Sequence, residues 1–274
     1  MWREETIEEI SDGRLYSAQD LVKIGTDDCR GCCDCCRMGP VIVLDPLDVF
    51  ELNRFLSQSF EELLNETIEL KVIDGLILPV LKLVPGGSGM HTGQAATNPA
   101  APSVAGPRTD TKPDSTRMPD PEEPMVCPYL GEDGRCTIHA FRPGICRLYP
   151  LGRSWEGDDF SYILQVNECT RCNKTKIKVK KWLGIPDLAS YEQFCRDWHS
   201  LLSSAHRLLD GTAPDSKLRN QICIYLLQQF FLCDWDVDDF YEVFAQRRAE
   251  ALRHLGFTPP ADMPPGAGAL STGG

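Results

Sequence analysis

Five of the eight residues between positions 29 and 36 are cysteines: Cys29, Cys32, Cys33, Cys35 and Cys36. Neighbouring cysteines make poor disulfides, because a bridge places Cα atoms about 5.5 to 6 Å apart whereas adjacent Cα atoms are held at about 3.8 Å. Thiols at this density point to shared metal ligation. The three-residue steps Cys29, Cys32, Cys35 match the C-x2-C-x2-C spacing that wraps a loop around one face of a cubane iron–sulfur cluster. The Cys-Pro pair that completes that pattern three residues later is missing, and Cys127-Pro128 offers a distant substitute.

A second region supplies Cys127, Cys136, Cys146, Cys169 and Cys172. Cys127 and Cys136 flank the turn-forming stretch Gly131 to Gly134, so two short strands would carry both thiolates to one side. Cys169 and Cys172 have the C-x2-C spacing that suits two ligands of a tetrahedral zinc or two corners of a cluster. His139 follows Cys136 by three residues and reads as a neighbour of the thiolates or a surface residue, or as a ligand in a mixed zinc site. Arg142 and Arg147 bracket Cys146, where a guanidinium can donate to sulfur or to a carboxylate behind it. One zinc or one cubane takes about four thiolates, so ten clustered cysteines suggest two sites with about two thiols left over. Neither region alone presents an ideal four-ligand set, so at least one site is expected to be shared. The expected ligands are Cys29, Cys32, Cys35, Cys36, Cys127, Cys136, Cys146, Cys169 and Cys172, with Cys33 as the spare. Cys195, Cys223 and Cys233 lack ligand spacing and read as buried small hydrophobes.

The run Cys29-x-x-Cys32-x-x-Cys35-Cys36, followed by Gly39-Pro40-Val41, Cys127-Pro128, Cys136-Thr137-Ile138, Arg142-Pro143, Cys146-Arg147 and Tyr149-Pro150-Leu151, resembles the CxxCxxCC cysteine-cluster family, also called the YkgJ family. The resemblance covers about residues 29 to 172. It implies a zinc- or iron-chelating domain, often described as containing an iron–sulfur cluster, and in some relatives a flagellin lysine N-methylase activity. The extra Cys33, an insert over 85–126 and a helical extension after 174 depart from the short family pattern.

The elements that must position these thiols are partly legible. Val41 to Leu44 suits a short strand. Asp45, Pro46 and Asp48 then open a helix whose apolar face is supplied by Leu47, Phe50, Phe55 and Leu56. Ser59 and Glu62 form a capping box for a second helix through Leu64. Ile68 to Val72 alternates, Asp74-Gly75 is a turn, and Leu76 to Leu83 completes a hairpin in which Pro79 implies an edge strand. Residues 85–126 contain 8 Pro, 5 Gly and 8 Ser or Thr but no Leu, Ile or aromatic residue, a composition expected of a disordered insert. The tail 256–274 has the same character. Tyr191, Phe194, Cys195, Trp198, Leu201, Leu202, Ala205, Leu208 and Leu209 form one helical stripe. Leu218 to Leu232 suggests a helix buried all round, and Val237 to Leu255 a third helix stopped by Gly256. The five lysines Lys174, Lys176, Lys178, Lys180 and Lys181 form a solvated face or a contact for an acidic partner or an anionic thiolate cluster.

These elements predict an α+β fold, with a small irregular cysteine-rich metal core and short strands packed against a helical C-terminal portion. The expected organisation is 1–84 and 127–182 as two parts of one metal-binding domain, 85–126 as insert, 183–255 as helical portion and 256–274 as tail. A net charge of −12 opposes binding to nucleic acid or an anionic membrane, and an unidentified protein is the expected partner. The acidic start MWREETIEEI lacks the features of a secretory signal and no run reaches about 20 apolar residues, so a cytoplasmic location is expected. There thiols stay reduced, which favours metal over disulfides. Three functions follow: an iron–sulfur protein, with a [4Fe–4S] cluster, in a redox or accessory role; a protein lysine N-methylase; and a zinc-stabilised interaction module. No HExxH or G-x-S-x-G motif supports hydrolysis.

Overall fold

A computed structural model describes residues 7–25, 36, 41–85, 125–166, 168–169, 174–213, 216–235 and 239–256. The chain divides into two compact units, Met1–Ala189 and Ser190–Gly274. In order, the elements are α1 (Ile7–Ile10), β1 (Leu21–Gly25), α2 (Pro46–Leu56), α3 (Phe60–Glu66), β2 (Ile68–Ile73), β3 (Leu76–Leu81), β4 (Val84–Pro85) and β5 (Met125–Val126). A 3-10 turn at His139–Phe141 follows, then α4 (Gly144–Leu148), β6 (Leu151–Glu156), β7 (Asp159–Leu164), β8 (Thr175–Lys178), α5 (Val179–Leu183), α6 (Leu188–Leu209), α7 (Lys217–Phe230) and α8 (Phe240–His254). The eight strands form four antiparallel pairs, β1–β8, β2–β3, β4–β5 and β6–β7, all in the first unit. The second unit is helical, and the class is α+β.

Local chemistry explains the helix starts. The Asp45 carboxylate accepts the Asp48 N–H at 2.9 Å and the Asp48 carboxylate accepts the Asp45 N–H at 3.1 Å, a reciprocal cap with Pro46 in the first turn of α2. Ser59 and Glu62 repeat the device on α3, which runs to Glu66. The expected apolar face of α2 is displaced. Val49 and Leu52 are buried, whereas Phe55 is 51% exposed although its ring stacks on Phe141 at 4.8 Å.

Asp74 (φ 49°) and Gly75 (φ 83°) turn β2 into β3, since both left-handed positions suit the twist of a tight hairpin. Val41 to Leu44 makes one bridge, Val43 to Val80, instead of a separate strand. Leu44 N–H donates to Pro79 O and Leu81 N–H to Ile42 O, so the Pro79 strand is flanked on its far side rather than left as a plain edge. Val84 pairs with Val126 and Pro85 with Met125. Pro85, Met125 and Val126 therefore belong to a small closed base, and the rest of the expected insert lies outside the described residues, as does the tail beyond Gly256. The β6–β7 hairpin, turning at Gly157 (φ 61°), was not anticipated; Tyr16 extends it through mutual backbone bonds with Tyr162.

In the helical unit, α6 buries Tyr191, Phe194, Cys195, Trp198, Leu201, Ala205 and Leu209, as its stripe requires. Phe244 meets Phe194 edge-on at 4.7 Å, and Trp198 meets Phe230 edge-on at 5.2 Å. On α7 the buried side is Ile222, Cys223, Leu226, Leu227 and Phe230, but Leu218 and Ile224 are exposed, so this helix is amphipathic rather than buried all round.

Candidate metal centre

Of the expected ligands, Cys36, Cys127, Cys136, Cys146 and Cys169 are described; Cys29, Cys32, Cys35 and Cys172, with the spare Cys33, lie outside the described residues. No disulfide joins the described cysteines to one another. Among the described residues no three His, Cys, Asp or Glu side chains converge into a metal-holding group.

The backbone nevertheless joins the two cysteine regions. Cys127 N–H donates to Cys36 O at 3.0 Å, and both residues are buried. From Cys127 the chain turns at once, Leu130 N–H donating to Cys127 O, and a bridge pairs Leu130 with Cys136. Gly131 N–H to Arg135 O closes the expected turn, with Gly134 at φ 74°. The result is a one-bridge knuckle in place of two strands.

Between the two cysteines in sequence lies Tyr129, 2% exposed, its hydroxyl 2.8 Å from Thr67 Oγ1. Burial pushes its phenol up to about 12 against the Thr67 hydrogen bond, and the charges of Cys127, Glu66 and Cys136 add to the rise. One aromatic side chain thus senses both thiols of the knuckle.

Cys146 sits on α4, its N–H donating to Pro143 O at 2.9 Å. The start of α4 is capped from far away, because Gly144 N–H donates to Asp48 Oδ1 at 2.7 Å across 96 positions. Asp48 is buried, and burial together with the Asp45 charge holds its carboxyl well above the usual range. Burial likewise lifts Asp45 to about 6. Sequence reasoning found the role of Asp48 at α2 but missed this second one, for which no local signal exists.

Of the two expected acceptors, sulfur or a carboxylate, Arg147 has a carboxylate, that of Glu51. Arg147 donates from Nε to Arg142 O at 3.1 Å and from Nη2 to Ala140 O at 2.6 Å, and lies 3.8 Å from Glu51. It therefore braces the loop that leads into Cys146. Arg142 Nη1 donates to His139 Nε2, which occupies that ring nitrogen. Partial burial, then Arg142 and Arg147, keep His139 below its usual range and neutral.

Cys169 is held through its neighbours. Tyr149 OH donates to Glu168 O, and Lys174 Nζ donates to Cys169 O at 2.8 Å. Tyr149 lies three residues after Cys146, so the Cys146 and Cys169 segments are tied together. Around them, β1 and β8 form a clasp in which Gly25 faces Thr175 and Thr175 Oγ1 donates to Gly25 O at 3.0 Å. Gly25 precedes Cys29 by four residues, and Thr175 follows Cys172 by three.

Cys195 and Cys223 are buried in the helical unit as expected. Cys233 is only half-buried, and its thiol donates to Gln229 O at 3.1 Å, so it is a hydrogen-bonded thiol and not a core hydrophobe. No described helix is long and apolar enough to cross a membrane. The sequence model of a family whose pattern is CxxCxxCC, described as a putative zinc- or iron-chelating domain, matches residues 28–170, just over half of the chain. No curated protein and no solved structure matches.

Proposed function

The chain belongs to the CxxCxxCC family, and on that premise we propose that thiolates from both cysteine regions hold a common iron–sulfur centre in a redox or accessory protein. The observation that carries this reading is the 3.0 Å bond from Cys127 N–H to Cys36 O, which brings the two regions into backbone contact. The clasp supports it. In sequence, Cys29 follows Gly25 by four residues and Cys172 precedes Thr175, the partner of Gly25 in the β1–β8 pair, by three.

The donor set fits a soft metal centre: the described cysteines form no disulfides with one another, and Cys36, Cys127 and Tyr129 are screened from water. Cys36 and Cys127 would supply ligands on one side, with Cys136 at the far end of the knuckle. Cys146 and Cys169 would supply ligands from the Tyr149-tied segments. A bound cluster supplies one-electron redox chemistry at a potential set by its surroundings.

Anaerobic purification followed by iron, acid-labile sulfide and zinc analysis tests the proposal. Iron and sulfide together, both lost in Cys36→Ser and Cys127→Ser, support it. Zinc alone would replace it with a zinc-stabilised module, and absence of every metal would remove both readings.

A further inference from the structure

Six of the ten lysines in the chain lie in the clasp: Lys23 on β1, and Lys174, Lys176, Lys178, Lys180 and Lys181 on and beside β8 and α5. Residues 16–25 and 174–184 carry these six, one Asp and no Arg, in a chain whose net charge is −12. The pairing register explains how they are displayed. Val22 pairs with Ile177, and Val22 is buried. The alternate positions on the other face are Leu21 opposite Lys178 and Lys23 opposite Lys176, and all four are exposed.

Lys23 and Lys176 are therefore direct cross-strand partners of like charge, an arrangement that weakens a ribbon. Among the described residues no carboxylate pairs with Lys23, Lys176 or Lys178. The one acid of the stretch, Asp20, accepts hydrogen bonds from the Ser17 N–H and hydroxyl at 2.7 Å each. Apart from Lys174, whose Nζ donates to Cys169 O, the described contacts give this concentration of charge no carboxylate within the fold, which points to a role outside it.

We propose that the outer face of the β1–β8 clasp is a docking surface for a carboxylate-rich segment of an acidic protein partner. Charge complementarity selects that occupant. Lysines are compact point charges that suit single carboxylates, whereas phosphate and base recognition favours the planar fork of arginine, of which the clasp has none. The acidic field of the rest of the chain repels long polyanions, while a short acidic segment can approach the patch locally. The surface does not depend on the metal reading, because its residues are placed by backbone pairing.

The probe is a short fluorescent oligoglutamate peptide, titrated with the full chain at low salt and followed by anisotropy. Binding is expected, and it should vanish at about 0.5 M salt, where charges are screened within a few ångströms. The triple variant Lys23→Glu, Lys176→Glu, Lys178→Glu should lose affinity by at least about tenfold. The control Lys71→Glu, Lys82→Glu, Lys217→Glu, with the same change in net charge, should retain most of it. If the reversal variant fails to melt cooperatively, the Gln versions at the same three positions should show a several-fold loss. Equal losses in patch and control variants would overturn the proposal. So would absence of wild-type binding, which would leave the lysines as guards against strand addition, or displacement of the peptide by oligothymidine at lower concentration than by unlabelled peptide.

Discussion

The backbone N–H of Cys127 donates to the carbonyl oxygen of Cys36 at 3.0 Å, joining two stretches that lie on opposite sides of the insert. Just before Cys127, β5 pairs with β4 and closes the base of that insert. The entropy of closing such a loop changes only slowly with its length. Replacing residues 86–122 with a short Gly/Ser linker should therefore leave metal per chain unchanged by elemental analysis. A drop in metal would assign the insert a part in the centre.

Asp48 accepts one backbone N–H at the start of α2 and another in α4, and the second bond is shielded from water. Asp48→Ala should cost about 2 to 3 kcal/mol of stability, combining a lost cap with a buried Gly144 N–H that has no acceptor. Asp48→Asn keeps an oxygen for one of the two donors and should cost about half as much. Urea unfolding curves of the three proteins decide the matter, and a loss below about 0.5 kcal/mol for the Ala variant would show that the link between the helices is dispensable.

The same carboxyls make stability depend on pH. Burial raises Asp45 from 3.8 to about 6 and, with the Asp45 charge, holds Asp48 well above its ordinary value. Over the window between those values the folded chain holds protons that the unfolded chain has released. The contribution of Asp45 is thus complete below about pH 4 and is lost as pH rises through about 6, by at most about 1.4 kcal/mol per pH unit. Asn is also a good cap, so Asp45→Asn removes the titration while keeping the helix start. Thermal or urea unfolding from pH 4 to 7 should show the wild type losing ground to this variant as pH rises; parallel curves would mean that Asp45 titrates normally.

A Cβ added at Gly25 would lie 2.7 Å from Thr175 Oγ1, closer than packed atoms tolerate. Gly25→Ala should destabilise the fold by about 1 to 3 kcal/mol through overpacking of the clasp. Thr175→Ala should cost about 1 kcal/mol through its lost bond to Gly25 O. Combining the two removes the clash, so the double variant should be more stable than the sum of the single losses predicts. Additive losses would place the strain elsewhere.

The capping boxes at Asp45 and Ser59 and the Asp74-Gly75 hairpin were readable because donor, acceptor and turn residue lie within a few positions of one another. The α6 stripe was readable for the same reason: burial follows a helical period within one element. Phe55 and Leu218 departed from expectation because apolar type alone does not say which side of a helix meets a neighbour. The β1–β8 and β4–β5 pairs, and the bond from Gly144 to Asp48, join residues far apart in the chain and leave no local mark. The β6–β7 hairpin had a local signal in its Gly157-Asp158 turn. At the candidate centre, spacing supplies the expected ligands, whereas the bracing by Tyr129, Tyr149 and Arg147 depends on contacts that only the fold creates.

The clasp also sets a clock. Gly25 and Thr175 are 150 positions apart, so β1 has no strand to pair with until the ribosome has added β8. At about 5 to 20 residues per second, that wait lasts roughly 8 to 30 s. Throughout it, the cysteines of positions 29 to 36 have been synthesised while their counterparts from Cys127 onward are still being made. A metal centre shared by the two regions, as proposed above, would therefore be completed only after β8 has been made, and the early thiols would wait unligated until then.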